Sequence, residues 1–267
     1  MSRVELTGVG VDVKGTSLVH NVSLQVGSGR WLSIIGPNGA GKSTLLRAIS
    51  GVARCHGSVT IDDRPVADMH RRERAATIAW VPQTPVIPPG MRVLDYVLLG
   101  RTAHLHPLAV EGRTDLEFVE SILDDLDLTD FARREVSTLS GGERQRTVIG
   151  RALAQQAPVL LLDEPTTALD LGHQQDVLQL LRRLQHEQGQ TIVSTMHDLT
   201  LAGQFADELV LLAAGTVAAR GDAADVLTES NIRDHYGASV RVTHEPDGVI
   251  VVPRTNTTTD HAERESP

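Results

Sequence analysis

Gly36-Pro37-Asn38-Gly39-Ala40-Gly41-Lys42-Ser43-Thr44 is the stretch whose reading decides the fold. It fits Gly-x-x-x-x-Gly-Lys-Ser, a loop that wraps phosphate groups. Trp31-Leu32-Ser33-Ile34-Ile35 before it is an apolar run of strand length, and Leu45-Leu46-Arg47-Ala48-Ile49 after it has helical spacing. A glycine-rich turn with an incidental lysine would not need those flanks. The glycines let the backbone curl so that several N–H groups converge on an anion, and the helix start adds the positive end of its dipole. Lys42 is expected to reach the β- and γ-phosphates, and the Ser43 hydroxyl to ligate Mg²⁺.

Upstream of the loop, residues 4–13 and 18–26 alternate apolar and polar and read as two strands joined at Lys14-Gly15. Downstream, Gly51 stops the first helix, residues 57–62 form a strand, 68–76 an Arg-rich helix and 77–81 another strand ending at Pro82-Gln83. Pro85, Pro88 and Pro89 then exclude regular structure. Residues 92–100, 114–126 and 140–156 are helical patterns with no strand between them. Strand and helix alternate again at 159–163, 173–187, 191–195, 199–206 and 208–213, with a short return strand at 215–221. This predicts an α/β fold: a mostly parallel nucleotide-binding sheet covered on both faces, with an N-terminal antiparallel β-subdomain and a helical insert. Residues 222–235 read as helical, with Asp222 and Thr228 as N-caps, and 239–252 as a hairpin turning at Asp247-Gly248. We expect one domain over 2–253, with its core at 2–83 and 157–253 and the helical part at about 84–156. Residues 254–267, Thr-, Asp- and Glu-rich, read as a disordered tail.

The 34 acidic residues outnumber the 25 basic ones, for a formal charge of −9. That argues against nucleic acid as a partner, since a broad footprint on it needs a basic face. The single cysteine, Cys55, excludes an internal disulfide and fits a reducing compartment. No apolar run approaches the roughly 18–20 residues that cross a bilayer, and the N-terminus lacks the apolar core of a signal peptide. The expectation is a chain without its own membrane span.

Val159-Leu160-Leu161-Leu162-Asp163-Glu164 is an apolar strand ending in two carboxylates. Beside a phosphate loop, Asp163 is expected to hold Mg²⁺ and Glu164 to act as the general base that polarises the attacking water. Leu139-Ser140-Gly141-Gly142-Glu143-Arg144-Gln145 contains a Ser-x-x-Glu capping box at Ser140 and Glu143. Its glycines bare the backbone N–H groups of a second anion-binding helix start.

These motifs and His197 stand in the order and spacing of ATP-binding cassette proteins, which the chain resembles over about residues 3–240. The resemblance implies ATP and Mg²⁺ as cofactors, with ATP held by Gly36, Pro37, Asn38, Gly39, Ala40, Gly41, Lys42, Ser43 and Thr44. It implies a head-to-tail homodimer in which Ser140, Gly141, Gly142 and Glu143 of one copy close on the γ-phosphate bound by the other. By the same resemblance Gln83 contacts Mg²⁺ and the attacking water, and Mg²⁺ is shared by Ser43, Gln83 and Asp163. His197 contacts the γ-phosphate, and Ala168-Leu169-Asp170 crosses the dimer interface. The position that often stacks an aromatic on adenine corresponds to Val13.

Leu99-Gly100-Arg101-Thr102-Ala103-His104-Leu105 and Leu169-Asp170-Leu171-Gly172-His173-Gln174 resemble the subfamily serving importers of iron–siderophore complexes, haem and vitamin B12, with Ala103 in place of its usual proline. That implies two membrane-spanning permease subunits, a separate substrate-binding protein, and a peripheral position on the cytoplasmic face of the cell membrane. A groove built from residues 84–107 and lined by Pro85, Val86, Ile87 and Met91 would receive a short permease helix. His104 and His106 read as surface residues. The alternatives are another cargo (zinc, manganese or phosphonate) and a non-transport cassette ATPase. The latter class carries long heptads or two cassettes in one chain, and neither is present.

Overall fold

A computed structural model describes residues 2–106, 110–246 and 248–254. Its strands are β1 (Val4–Val13), β2 (Thr16–Val26), β3 (Trp31–Ile35), β4 (His56–Ile61), β5 (Arg64–Pro65), β6 (Ile78–Val81), β7 (Val159–Asp163), β8 (Thr191–Thr195), β9 (Glu208–Ala213), β10 (Thr216–Gly221), β11 (Val240–Glu245) and β12 (Gly248–Pro253). Its helices are α1 (Lys42–Ile49), α2 (Arg71–Thr77), α3 (Val93–Leu98), α4 (Arg113–Asp125), α5 (Gly141–Ala154), α6 (Leu171–Gln188), α7 (Leu199–Phe205), α8 (Ala223–Val226) and α9 (Glu229–Tyr236).

The main sheet has the order β10-β9-β3-β8-β7-β6 and is parallel except for β10, which returns antiparallel to β9. Its parallel strands are buried on both faces, whereas β10 at the edge is half-exposed, and the buried side chains sort by the two-residue period of a strand. Trp31, Leu160, Leu162, Ile192, Leu209 and Leu211 face one core with α3–α7. Leu32, Ile34, Val159, Leu161, Val193, Val210 and Leu212 face the other, shared with α1 and the antiparallel sheet β2-β1-β4-β5. Trp31 is fully buried, and its indole Nε1 donates to Ser194 Oγ at 2.8 Å, so the aromatic adds area without an unmet donor.

Between β6 and β7 the described residues form helices and 3₁₀ turns, with only an isolated bridge between Arg92 and Glu135. The sequence expectations shift at several element ends. Thr77 ends α2 rather than opening the strand, and α3 stops at Leu98 and tightens into a 3₁₀ turn over Leu99–Ala103. Residues 222–235 divide into α8 and α9, because Thr228 is itself an N-cap that accepts from Asn231 N, just as Asp222 accepts from Asp225 N. α6 begins at Leu171, two residues earlier than its apolar pattern suggests, because Asp170 caps it. The hairpin β11–β12 forms as expected, although Asp247 of its turn, Pro107 of the groove and the tail from Thr255 lie outside the described residues. Among the described residues no helix is long and apolar enough to cross a membrane.

Candidate active site

The sheet order makes neighbours of β3, β8, β7 and β6, all parallel, so their C-terminal ends open on one edge. Ligands of open parallel sheets bind at that edge. From it emerge the loop after β3, His197 after β8, Asp163-Glu164 at the end of β7 and Gln83 after β6. A cleft of about 590 Å³ there is lined by Asn38–Thr44, Gln83, Glu164, Thr167, His197 and Leu18 of β2. Stretches separated by more than 100 residues in sequence thus meet at one edge.

Two glycines fix the path of the loop. Gly36 has φ of 151°, and a Cβ on it would collide with the Leu212 carbonyl. Gly41, in the left-handed region at φ 98°, precedes the first residue of α1 and leaves no room for a Cβ against the Leu18 carbonyl. Lys42 is 5% exposed, and its Nζ donates to Gly36 O at 2.6 Å and Pro37 O at 3.1 Å. Burial pushes this ammonium below the ordinary lysine value, against the pull of the Glu164 and Asp163 carboxylates. A buried cation held by neutral carbonyls is a poorly compensated charge, and an anion in the loop would complete it.

Asp163 is fully buried. Its Oδ1 accepts from Ser43 Oγ at 2.9 Å and Thr195 Oγ1 at 2.8 Å, while its Oδ2 has no hydrogen-bond partner among the described residues. Glu164 follows with φ of 53°, a conformation costly for a residue with a side chain and found at functional sites. Its backbone N donates to Thr195 Oγ1 at 2.9 Å. Its two carboxylate oxygens take different partners: Oε2 accepts from Gln83 Nε2 at 2.6 Å, and Oε1 lies 2.5 Å from His197 Nε2. Thr195, which braces both acids, was not found from the sequence. The only signal was its place two residues before His197.

The remaining sequence-derived residues lie elsewhere. Ser140 caps α5: its Oγ accepts from Glu143 N at 3.3 Å, and Glu143 Oε2 accepts from Ser140 N at 2.8 Å. Ser140 and Gly141 are exposed, and none of Ser140–Glu143 lines the cleft. Ala168-Leu169-Asp170 packs beneath this helix start, with Leu169 buried against Gly142. Asp170 caps α6 by accepting from His173 N at 3.0 Å, and its carboxyl also meets His173 Nδ1 at 2.7 Å. These bonds hold its pKa below the ordinary carboxylate range. Val13 is exposed at the β1–β2 hairpin tip and does not line the cleft, whereas Leu18 does.

A phosphate loop after β3, two acids at the end of β7 and a histidine after β8, the strand between them, define a phosphate-loop nucleotide-binding ATPase. Residues 19–167 match the ABC transporter family, and the chain belongs to it as an ATP-binding, ATP-hydrolysing cassette. It is 35% identical over 247 residues to the iron(3+)-hydroxamate import ATP-binding protein FhuC of Bacillus subtilis, covering 92% of each chain. It is 40% identical over 252 residues to the hemin import ATP-binding protein HmuV of Rhodococcus jostii, covering 92% of this chain and 85% of the relative. A metal-chelate type ABC transporter in an inward-facing conformation superposes with a TM-score of 0.80 at 30% identity, over 96% of this chain and 99% of that one. The dimeric cassette MJ0796 in a post-hydrolysis state with ADP and Pi superposes at 0.76 and 31% identity, over 82% and 98%.

Proposed function

We propose that the chain powers a metal-chelate importer by closing head to tail on a second copy of itself around ATP. One observation carries the dimer. The cleft holds a phosphate loop and an acid, while the exposed, glycine-bared helix start at Ser140–Gly142 lies outside it. Each copy therefore offers an acceptor half-site and a donor half-site. The dimeric, ADP- and Pi-bound relative supports this reading.

In the closed dimer Gly36–Thr44 wrap the triphosphate and Lys42 exchanges its loop carbonyls for phosphate oxygens. Glu164 takes a proton from the attacking water, His197 contacts the γ-phosphate, and the partner's Ser140–Glu143 completes the cage with Ala168–Asp170 crossing the interface. Mg²⁺ fits the donor set, because a hard cation takes oxygen ligands and Asp163 Oδ2 is a buried acceptor without a partner among the described residues. Ser43, Asp163 and Gln83 would hold it, and when bound it neutralises charge on the phosphates. Gln83 and His197, now bonded to Glu164, would release its two oxygens as the site fills.

The cargo is an iron–siderophore, haem or cobalamin complex delivered by a substrate-binding protein. FhuC and HmuV support this, together with the metal-chelate transporter. Two permease subunits dock on the groove from residue 84 onward, where Val86 is 88% exposed, and hold the dimer at the cytoplasmic face of the membrane. Affinity purification of the tagged chain from its native membrane tests the transport reading. A co-purifying multi-span subunit is expected, and its absence would leave a non-transport ATPase.

A further inference from the structure

The 3₁₀ turn at Leu99–Ala103 plays no part in the phosphate cleft, yet it is tied down more heavily than a surface turn requires. Gly100 lies so close to α5 that a Cβ would collide with the Arg151 carbonyl. The Arg101 side chain is 12% exposed. Its Nε donates to Asp115 Oδ1 at 2.8 Å, and one terminal nitrogen donates to Ala154 O at 2.9 Å and Gln156 Oε1 at 2.6 Å. The guanidinium also lies 5.2 Å from the centroid of the Phe118 ring. His104 Nε2 meets the Gln155 carbonyl at 2.6 Å. Arg101 and His104 together satisfy the last carbonyls of α5, which a helix leaves without partners. Arg101 also joins α5 to α4 through Asp115.

The far end of that helix carries Ser140-Gly141-Gly142. At the near end, Gln155 Nε2 donates to the Ile78 carbonyl at 2.6 Å and to the Ala75 carbonyl, and so ties α5 to the core beside β6. Arg72 of α2 reaches the Ala103 and Leu105 carbonyls from the core side. The C-terminal end of α5 is thus a fixed point, and its N-terminal end lies about 20 Å away at 1.5 Å per residue. A rotation of roughly 10° about the fixed point moves the N-terminal end by about 3.5 Å, enough to make or break a hydrogen bond.

We propose that Arg101 is a positioning residue that clamps the permease-facing turn to the root of α5, so that the docked turn sets the pivot about which Ser140–Gly142 swings toward or away from the partner's nucleotide. This rests on the importer reading given above. Arg suits the place because its planar fork serves a carboxylate, a carbonyl and an amide oxygen together, which a lysine ammonium on a flexible stem does not.

The test uses the cassette alone and the cassette assembled with its co-purified membrane subunits in proteoliposomes, with MgATP as the only added ligand. For Arg101→Ala, ATPase of the free cassette is expected to stay within twofold of wild type. The change in ATPase that assembly produces in wild type should shrink at least fivefold. Failure of this variant to assemble, with free ATPase intact, would make Arg101 a part of the docking surface alone and overturn the clamp. Arg101→Lys should fall between, and it decides the matter if the alanine variant does not fold. A fall by the same factor in free and assembled ATPase would reduce Arg101 to a stability element and overturn the proposal. If the wild-type chain co-purifies with no membrane subunit, the importer reading itself fails and the clamp falls with it.

Discussion

The Glu164 carboxylate is held at both oxygens, by Gln83 from one strand end and His197 from another, and its left-handed backbone is braced by Thr195. A group bound this firmly is pre-oriented for proton transfer, and Glu164→Gln preserves the shape while removing the basicity. Turnover should fall by about 10²-fold or more, the usual range for a positioned base. An ATP-bound dimer should accumulate on gel filtration, and undiminished hydrolysis would remove Glu164 from the role. Lys42 makes a complementary case. Its buried ammonium is hydrogen-bonded by two carbonyls, and the cost of its burial outweighs the pull of the Glu164 and Asp163 carboxylates, so Lys42→Ala should abolish ATP binding in calorimetry while thermal stability stays level or rises. A fall in stability equal to the loss of binding would mean a damaged loop rather than a missing ligand. Away from the site, burial alone would raise the Asp207 pKa, but the Trp31 amide at 2.8 Å, Arg182 at 2.7 Å and the nearby Arg30 bring it below the ordinary value. With the folded pKa below that of the unfolded chain, the stabilisation is complete above about pH 4 and is lost as pH falls through the folded value. Asp207→Asn should therefore cost about 2 kcal/mol at pH 7, and that cost should shrink progressively as the pH is lowered below about 4, measured by urea unfolding along a pH series.

Elements rather than single residues decide how the two proposed half-sites are displayed. Short signals with strong flanks were legible in the sequence. The phosphate loop sits between an apolar run and a helical pattern, and Ser140–Glu143 is a local capping box whose partners lie three residues apart. Partners distant in sequence were not legible. Nothing near Arg101 announces that its acceptors lie at Asp115, Ala154 and Gln156, and nothing near Asp163 points to Thr195 on the next strand. The split of residues 222–235 into α8 and α9 was half legible, since Thr228 was recognised as a cap but not as the start of a separate helix. The capping box also separates structure from function at α5. Ser140→Ala removes one side-chain acceptor at an exposed helix start, about 1 kcal/mol of a total near 5–15. The cassette should stay folded and bind ATP normally as a monomer. If Ser140 serves the partner's nucleotide, ATPase should nevertheless fall at least tenfold. A modest stability loss with unchanged ATPase would leave Ser140 as a cap and nothing more.

At the scale of the whole molecule, the sheet order accounts for why four motifs meet at one edge, but the same order leaves the α5 start outside the cleft. One copy's cleft thus holds only part of the proposed site. That asymmetry allows a test by mixing two inactive proteins. Lys42→Ala cannot hold nucleotide but keeps an intact Ser140–Gly142, while Ser140→Ala holds nucleotide but cannot complete a partner's cage. Each homodimer should be nearly inactive. In an equal mixture that exchanges freely, half of the dimers contain one chain of each kind, and each of these has one site built from two intact halves. With independent sites, ATPase should return to about a quarter of the wild-type value and scale with the fraction of mixed dimers. Any cooperativity between the two sites would lower that figure without abolishing the recovery. If each chain built its whole site from its own residues, mixing would restore nothing, because the defect in each copy would stay with that copy.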